Sequence, residues 1–404
     1  MTDNETRLSL SRPTPLDIVA FIPYACYQME AQFEVRMLTR VKKEYVSVVE
    51  KNKKSRREKS IMQYTSTARM SREKEKSESQ LAFGVVDQSQ LVLITVICDT
   101  AGRLVELLFQ HTKVPLLLLE VIGFCLPYQP YLNRITIRWG AIDGYSIYEM
   151  AKHLRQSQIT EICLDDSPVA QCNQYLLLEN ETNLKFLSLE RCGLVDRDCI
   201  RIAAKLVYPQ PASRTLRVLS LASNTISDEG AVALGTMLRS NRQLRFLNLS
   251  GNQITNSGAA AIFSSLMEFP MTYDEIVSKR ARSIEYLNRQ KEVYMKCYKE
   301  LINTDTIRKD AYSYSIGNLS LSYLNLSYNN LGHESLVKLL QVIRYQESLK
   351  CKTQVGLVKV MVEGNPMPCR SGELEAIQDF TYCIGMSGTQ VKYEKIKPMK
   401  IGRR

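Results

Sequence analysis

The side chains with the means to do chemistry in this chain are three histidines, eleven cysteines and scattered carboxylates. A zinc site or a Cys–His nucleophile pair needs such residues at short, repeated spacings. His111, His153 and His333 stand far apart, and no two cysteines form a CxxC pair. Neither chemistry is therefore expected, and no metal or cofactor is implied. Asp165 and Asp166 form an adjacent acidic pair, but consecutive strand residues point to opposite faces and do not readily share a proton. Arg134 and Arg138 are the cations placed to approach a phosphate from one strand face. The sequence holds no phosphate loop, dinucleotide fingerprint or zinc-protease helix. No catalytic residue is assigned, and the chain is expected not to be an enzyme. Several cysteines stand where a small apolar residue is wanted, which fits reduced thiols in a cytoplasmic protein.

What would position side chains here is a repeat. LRVLSLASNTISDEGAVALGTML begins at Leu216 and LRFLNLSGNQITNSGAAAIFSSL at Leu244, a period of 28 residues. LSYLNLSYNNLGHESLVKLL, from Leu321, fits the same template. LKFLSLERCGLVDRDCIRIAAKL, from Leu184, fits it with Cys192 at the asparagine position. Weaker copies start near Leu132, Ile159 and Leu357, the last with Asn365 in the asparagine slot, which makes seven units. In LxxLxL the apolar residues alternate with polar ones, so a short strand turns them inward. Asn224, Asn252 and Asn329 then turn the chain and satisfy backbone groups of neighbouring turns. Ala231, Leu234 and Leu238, like Ala259, Ile262 and Leu266, fall at helical spacing. Each unit is thus a strand, a turn and a helix that crosses back, giving right-handed connections in a parallel sheet. Strands stack about 4.8 Å apart and helices about 8 to 10 Å. The mismatch bends the stack into an α/β horseshoe, a solenoid with the parallel sheet on the concave face and helices on the convex face.

The strand side chains expected on that concave face are Arg134, Thr136, Arg138, Glu161, Asp165, Phe186, Ser188, Glu190, Val218, Ser220, Phe246, Asn248, Tyr323 and Asn325. Phe186, Val218, Phe246 and Tyr323 form an apolar and aromatic stripe, the composition of an interface core. The alternative is that the insertion or the amino-terminal arm folds back over it. The Asn-x-Ser sequons at Asn248 and Asn325 fall within strands and lose their meaning in a cytoplasmic chain.

Other segments depart from the repeat. Residues 1–80 read as a basic arm, largely disordered or helical, because Arg36 to Lys76 holds 14 Lys/Arg against 5 Asp/Glu. Its candidate partners are tubulin's acidic tails, nucleic acid and an anionic membrane surface. The missing RNA-binding signature argues against nucleic acid. Residues 81–131 are expected to cap the solenoid. Their longest uncharged windows are 11 to 13 residues, short of the roughly 20 that a transmembrane helix needs. Repeats one to five span 132–267. A charged helical insertion with Leu287, Tyr294 and Leu301 at seven-residue intervals spans 268–318, repeats six and seven span 319–383, and a basic tail spans 384–404.

With NxIxxxGAxxL endings, the repeats resemble the ribonuclease-inhibitor class of leucine-rich repeats. In LNLSGNQITNSGAAAIFSSLMEFPMTYDEIVSKRARSIEYL a repeat runs directly into a charged helix and a long insertion. A further LxLNLSYNNL unit and GLVKVMVEGNPMP follow. That order resembles the leucine-rich repeat-containing protein 71 family over roughly Leu132 to Cys383. The resemblance implies association with the axoneme of motile cilia and flagella, no catalytic activity, and no functional residues to carry over. The leading expectation is a protein-binding scaffold of the axoneme. The alternatives are a small-GTPase regulator of the leucine-rich-repeat type and an actin or cytoskeletal adaptor.

Overall fold

The computed structural model describes residues 12–42, 91–289, 306–309, 312–349, 356–368 and 371–387. Ten strands form one sheet in the order β1-β2-β3-β4-β5-β6-β7-β8-β12-β13. They are β1 (Glu34–Val41), β2 (Leu91–Cys98), β3 (Leu104–Gln110), β4 (Arg134–Arg138), β5 (Glu161–Cys163), β6 (Phe186–Ser188), β7 (Val218–Ser220), β8 (Phe246–Asn248), β12 (Tyr323–Asn325) and β13 (Lys359–Met361). All neighbours pair in parallel except β2 and β3.

Each repeat strand from β5 onward is only three residues long, because the pattern supplies one inward apolar residue between two outward ones. Leu187, Leu219, Leu247 and Leu324 occupy that central position in register and are fully buried. Behind them lie α3 (Gly144–Leu154), α4 (Asp196–Leu206), α5 (Asp228–Ser240), α6 (Asn256–Ser265) and α8 (His333–Ser348). α4, α5, α6 and α8 pack in succession. The unit starting at Ile159 breaks the strand-turn-helix expectation. Its return path carries Pro168 and forms only a 3-10 turn, Gln174–Leu178. α9 (Gly372–Ser387) packs on α8 and follows the last strand.

Two hydrogen-bond ladders join the units. Immediately before each turn slot stands a left-handed residue: His111, Trp139, Asp166, Arg191, Ser223, Gly251, Tyr328 and Gly364. The slot residue then reaches back. Asn252 Nδ2 donates to its own Leu249 carbonyl at 2.9 Å and to Leu221 of the preceding unit at 3.0 Å. Its Oδ1 accepts from Ile226 N at 3.1 Å. Asn224, Asn329 and Asn365 make the same kinds of bond. Cys192 keeps the donor half, with Sγ 3.0 Å from Leu164 O.

The second ladder caps the helices. Asp228, first residue of α5, accepts from Thr255 N at 2.7 Å and Gly258 N at 3.0 Å at the start of α6. Asp196 does the same for Ser227 and Gly230, and Asn256 accepts from Gly332 N and Ser335 Oγ. The small residue in the GA step follows from this, since a Cβ on Gly258 would lie 2.4 Å from Asp228 Oδ1. The carboxylates also sit at the positive end of the next helix, where a negative charge is favoured.

The amino-terminal reading needs correcting. Part of the expected arm is folded: α1 (Ile18–Gln28) buries Ile18, Ile22 and Cys26, and β1 buries Val35 against β2. Charge content masked a strand whose first residues alternate, with Val35 inward between exposed Glu34 and Arg36. Residues 43–90 lie outside the described residues. β2, β3 and α2 (Leu116–Cys125) continue the core from α1 to the first repeats.

The insertion is not purely helical either. α7 (Tyr273–Arg289) is followed by β10 (Thr306–Lys309) and β11 (Tyr312–Ser315), which pair antiparallel with each other, and β11 also pairs antiparallel with β9 (Phe269–Pro270). TIRK and YSYS are rich in strand-forming residues, a signal hidden among charges. Tyr294 and Leu301 of the heptad stripe fall outside the described residues. α7 rests on α5 and the segment before β7. Arg239 binds Glu275 through two bonds of 2.6 and 2.9 Å, and Tyr208 Oη donates to Glu285 at 3.0 Å. Among the described residues, no helix is long and apolar enough to cross a membrane.

Candidate functional site

Strand register sorts the concave side chains into rows. The first row runs Glu106, Arg134, Glu161, Phe186, Val218, Phe246, Tyr323, Lys359. The second runs Leu108, Thr136, Cys163, Ser188, Ser220, Asn248, Asn325, Met361. Arg138 ends β4, and Asp165 and Glu190 follow the ends of β5 and β6.

The amino-terminal third of this face is occupied by its own charges. Arg134 Nε donates to Glu161 Oε2 at 2.6 Å, and Thr136 Oγ1 donates to Glu106 Oε1 at 2.6 Å. Asp165 accepts from Ser188 Oγ at 2.6 Å and from Glu190 N at 3.1 Å, with Arg138 3.9 Å away. Ser220 Oγ donates to Glu190 Oε1 at 2.6 Å, and Asn248 Nδ2 donates to Ser220 Oγ at 3.0 Å. Asn325 Oδ1 accepts from Ser327 N. Four residues expected to meet a partner are therefore withdrawn: Thr136, Asp165, Ser188 and Ser220 are all buried. Each is held by a carboxylate or hydroxyl of a neighbouring strand or the residues just past it, a pairing that single-strand periodicity does not reveal. The two aspartates lie past the strand, and they take different partners. Asp165 binds Ser188, while Asp166 binds Arg191.

The middle of the face differs. Phe186, Val218 and Phe246 are half-buried and Tyr323 is exposed; the Phe246 and Tyr323 rings lie 5.9 Å apart at 34°. That distance suits a tilted aromatic pair. Among the described residues, the insertion bonds to the edge around α5 rather than to this stripe.

Sequence reasoning passed over Cys163, Lys359 and Met361 because their units are degenerate. It also passed over Lys185, Arg217 and Arg245, although the first variable residue of LxxLxL is basic in all three consecutive units. Thiol chemistry has little footing here. Burial pushes Cys163 up to about 11 and Cys192 up to about 12, so neither is a thiolate at neutral pH. Among the described residues, no cluster of His, Cys, Asp and Glu has the arrangement of a metal site.

At the edge beside this face, the Arg191 guanidinium donates to Asp166 Oδ2 at 2.8 Å and holds that carboxyl below its ordinary range. A depressed folded value contributes stability that is complete above the unfolded carboxylate value of about 4 and is lost as pH falls through the folded value. Asp166→Asn keeps a side chain that tolerates the left-handed backbone. The variant is expected to unfold at lower urea than wild type at pH 7, and the gap is expected to close by roughly pH 2. A gap independent of pH would remove the ion pair as its cause.

The family described as Leucine Rich repeat matches residues 212–235, 240–263 and 317–340. Comparison with the curated proteins finds no match. Among solved structures, the chain is similar to leiomodin-1 actin-binding site 2. Identity is 14%, the match covers 60% of this chain and 90% of that one, and the TM-score is 0.31. So loose a likeness carries no functional weight. Three matched repeats, set in one mostly parallel sheet backed by helices, make the chain a leucine-rich-repeat solenoid.

Proposed function

We propose that this chain is a non-enzymatic scaffold that grips a protein partner along its concave strands, as a structural component of the axoneme of motile cilia or sperm flagella. The stripe of Phe186, Val218, Phe246 and Tyr323 carries the grip. Aligned aromatic and apolar side chains, part-exposed within a polar surface, have the make-up of an interface core. The axonemal placement is supported by the order of repeats and insertion, which resembles the leucine-rich repeat-containing protein 71 family. The basic segment 36–76 adds electrostatic attachment to an acidic neighbour such as tubulin. A small-GTPase regulator has less to work with, because Arg134 and Arg138 face Glu161 and Asp165.

The test joins place and surface. In ciliated cells the tagged chain is expected to resist detergent extraction with the axoneme. A Phe246→Ala, Tyr323→Ala double variant is expected to fold normally yet bind its partners at least roughly 30-fold more weakly, the loss that one hot-spot aromatic alone would bring. A diffuse, extractable signal would end the axonemal reading, and unchanged binding would end the concave one. Co-sedimentation with actin filaments instead would move the assignment to a cytoskeletal adaptor.

A further inference from the structure

The residue just before each central strand adds a feature that the stripe alone does not have. Lys185, Arg217 and Arg245 precede Phe186, Val218 and Phe246, and all three are exposed. Their backbones are tied in sequence: Arg217 N donates to Lys185 O and Arg245 N to Arg217 O, each at 2.8 Å. The three cations therefore climb the solenoid one strand apart. Among the described residues, none of the three is in an ion pair, unlike Arg134, Arg191 and Arg239. Lys359, in register with Tyr323, adds a fourth exposed cation at the carboxy-terminal end of the stripe. On the opposite side, beyond the strands, stand the carboxylates Asp165, Glu190 and Glu363, engaged by Ser188, Ser220 and Ser327. The apolar stripe is thus bounded along one side by cations outside any ion pair, of which Arg245 also donates from Nη1 to Ser320 O at 3.1 Å, and by acceptors along the other.

From this asymmetry we infer that the concave face takes an amphipathic helix whose apolar face is flanked by a row of carboxylates. The inference rests on the concave-face reading above and specifies its partner. Spacing selects the helix. Side chains three and four apart on a helix are about 5 to 6 Å apart, and adjacent strands are about 4.8 Å apart. A helix laid across the strands keeps Glu or Asp at i, i+4 and i+7 opposite Lys185, Arg217 and Arg245. Its apolar residues then fall on Phe186, Val218, Phe246 and Tyr323. A nucleic acid would use the cations and leave the stripe unfilled, so the apolar row favours a protein segment.

The experiment is a display selection of 18-residue amphipathic segments, randomised on the flanking positions, against the whole chain. Selected segments are expected to carry Asp or Glu at three- and four-residue spacing beside their apolar face. Their binding is expected to fall at least tenfold on Arg217→Glu with Arg245→Glu, less on the paired Arg→Gln variant, and at least tenfold on Phe246→Ala with Tyr323→Ala. Circular dichroism checks that each variant is folded. Segments that are basic or uncharged, indifferent to the arginine variants, or never enriched would overturn the inference. If such segments still depend on Phe246 and Tyr323, the concave reading survives without this partner chemistry. If they depend on neither pair, both fail. A single-stranded RNA probe bound through the arginines and unaffected by the aromatic variant would identify a polyanion site instead.

Discussion

Replacing Asn252 with alanine is expected to destabilise the chain by roughly 3 to 5 kcal/mol, the cost of leaving several buried polar groups without partners. The substitution removes little apolar area, so packing is a minor part of the loss. Asn252 Nδ2 donates to Leu221 O and Leu249 O, with a longer contact of 3.4 Å to Ser250 O, and its Oδ1 accepts from Ile226 N. The side chain is 7% exposed, so water does not replace it cheaply. Native domains have only about 5 to 15 kcal/mol in hand. Urea unfolding followed by circular dichroism measures the change. A loss below about 1 kcal/mol, the value of a single exposed bond, would show that the ladder is not what holds neighbouring units together.

Gly235→Val is expected to be nearly as damaging, for a steric reason. α5 and α6 approach so closely that a Cβ on Gly235 would lie 2.6 Å from the Ala261 carbonyl oxygen and 2.8 Å from its carbon. Backbone on the far side cannot rotate away as a flexible side chain would. The helices must part, and overpacking of this kind costs about 1 to 3 kcal/mol or more. The damage should concentrate at one interface, because a solenoid couples each unit chiefly to its neighbours. Hydrogen exchange should therefore show lost protection in α5, α6 and the strands before them, ahead of the amino-terminal end. Uniform loss of protection along the chain would contradict nearest-neighbour coupling here.

The strong units were readable from sequence because both of their signals are local. Leucines at fixed spacing define the inward face, and asparagine at the slot makes bonds that few side chains reproduce. The degenerate units were harder because chemistry was conserved where residue type was not. Ser167 fills the slot before β6, accepting from Gly140 N at 3.0 Å and donating toward Asp165 O and Ile137 O. A serine in a DDSP stretch gives no sign of this. β1 escapes notice because its charges outweigh a short alternation, and the ribbon of β9, β10 and β11 because its strand-forming runs are only two to four residues long within a charge-rich insertion. On the concave face, the apolar row followed from LxxLxL spacing. The withdrawal of Thr136, Ser188 and Ser220 depended on acidic partners 23 to 30 residues away, a distance that only strand register resolves.

The seam at which the insertion leaves the arch has a practical meaning. On either side of it Asn329 Nδ2 still donates to Leu249 O at 2.9 Å, Ile254 N still donates to Asn329 Oδ1, and Gly332 N still donates to Asn256 Oδ1. The two edges meet as if the intervening residues were absent. Lengthening such a tethered branch adds only about 0.6 kcal/mol for each doubling. The seam is therefore a natural grafting port, where a fluorescent domain or a shortened linker can be spliced in while the arch on both sides keeps its curvature.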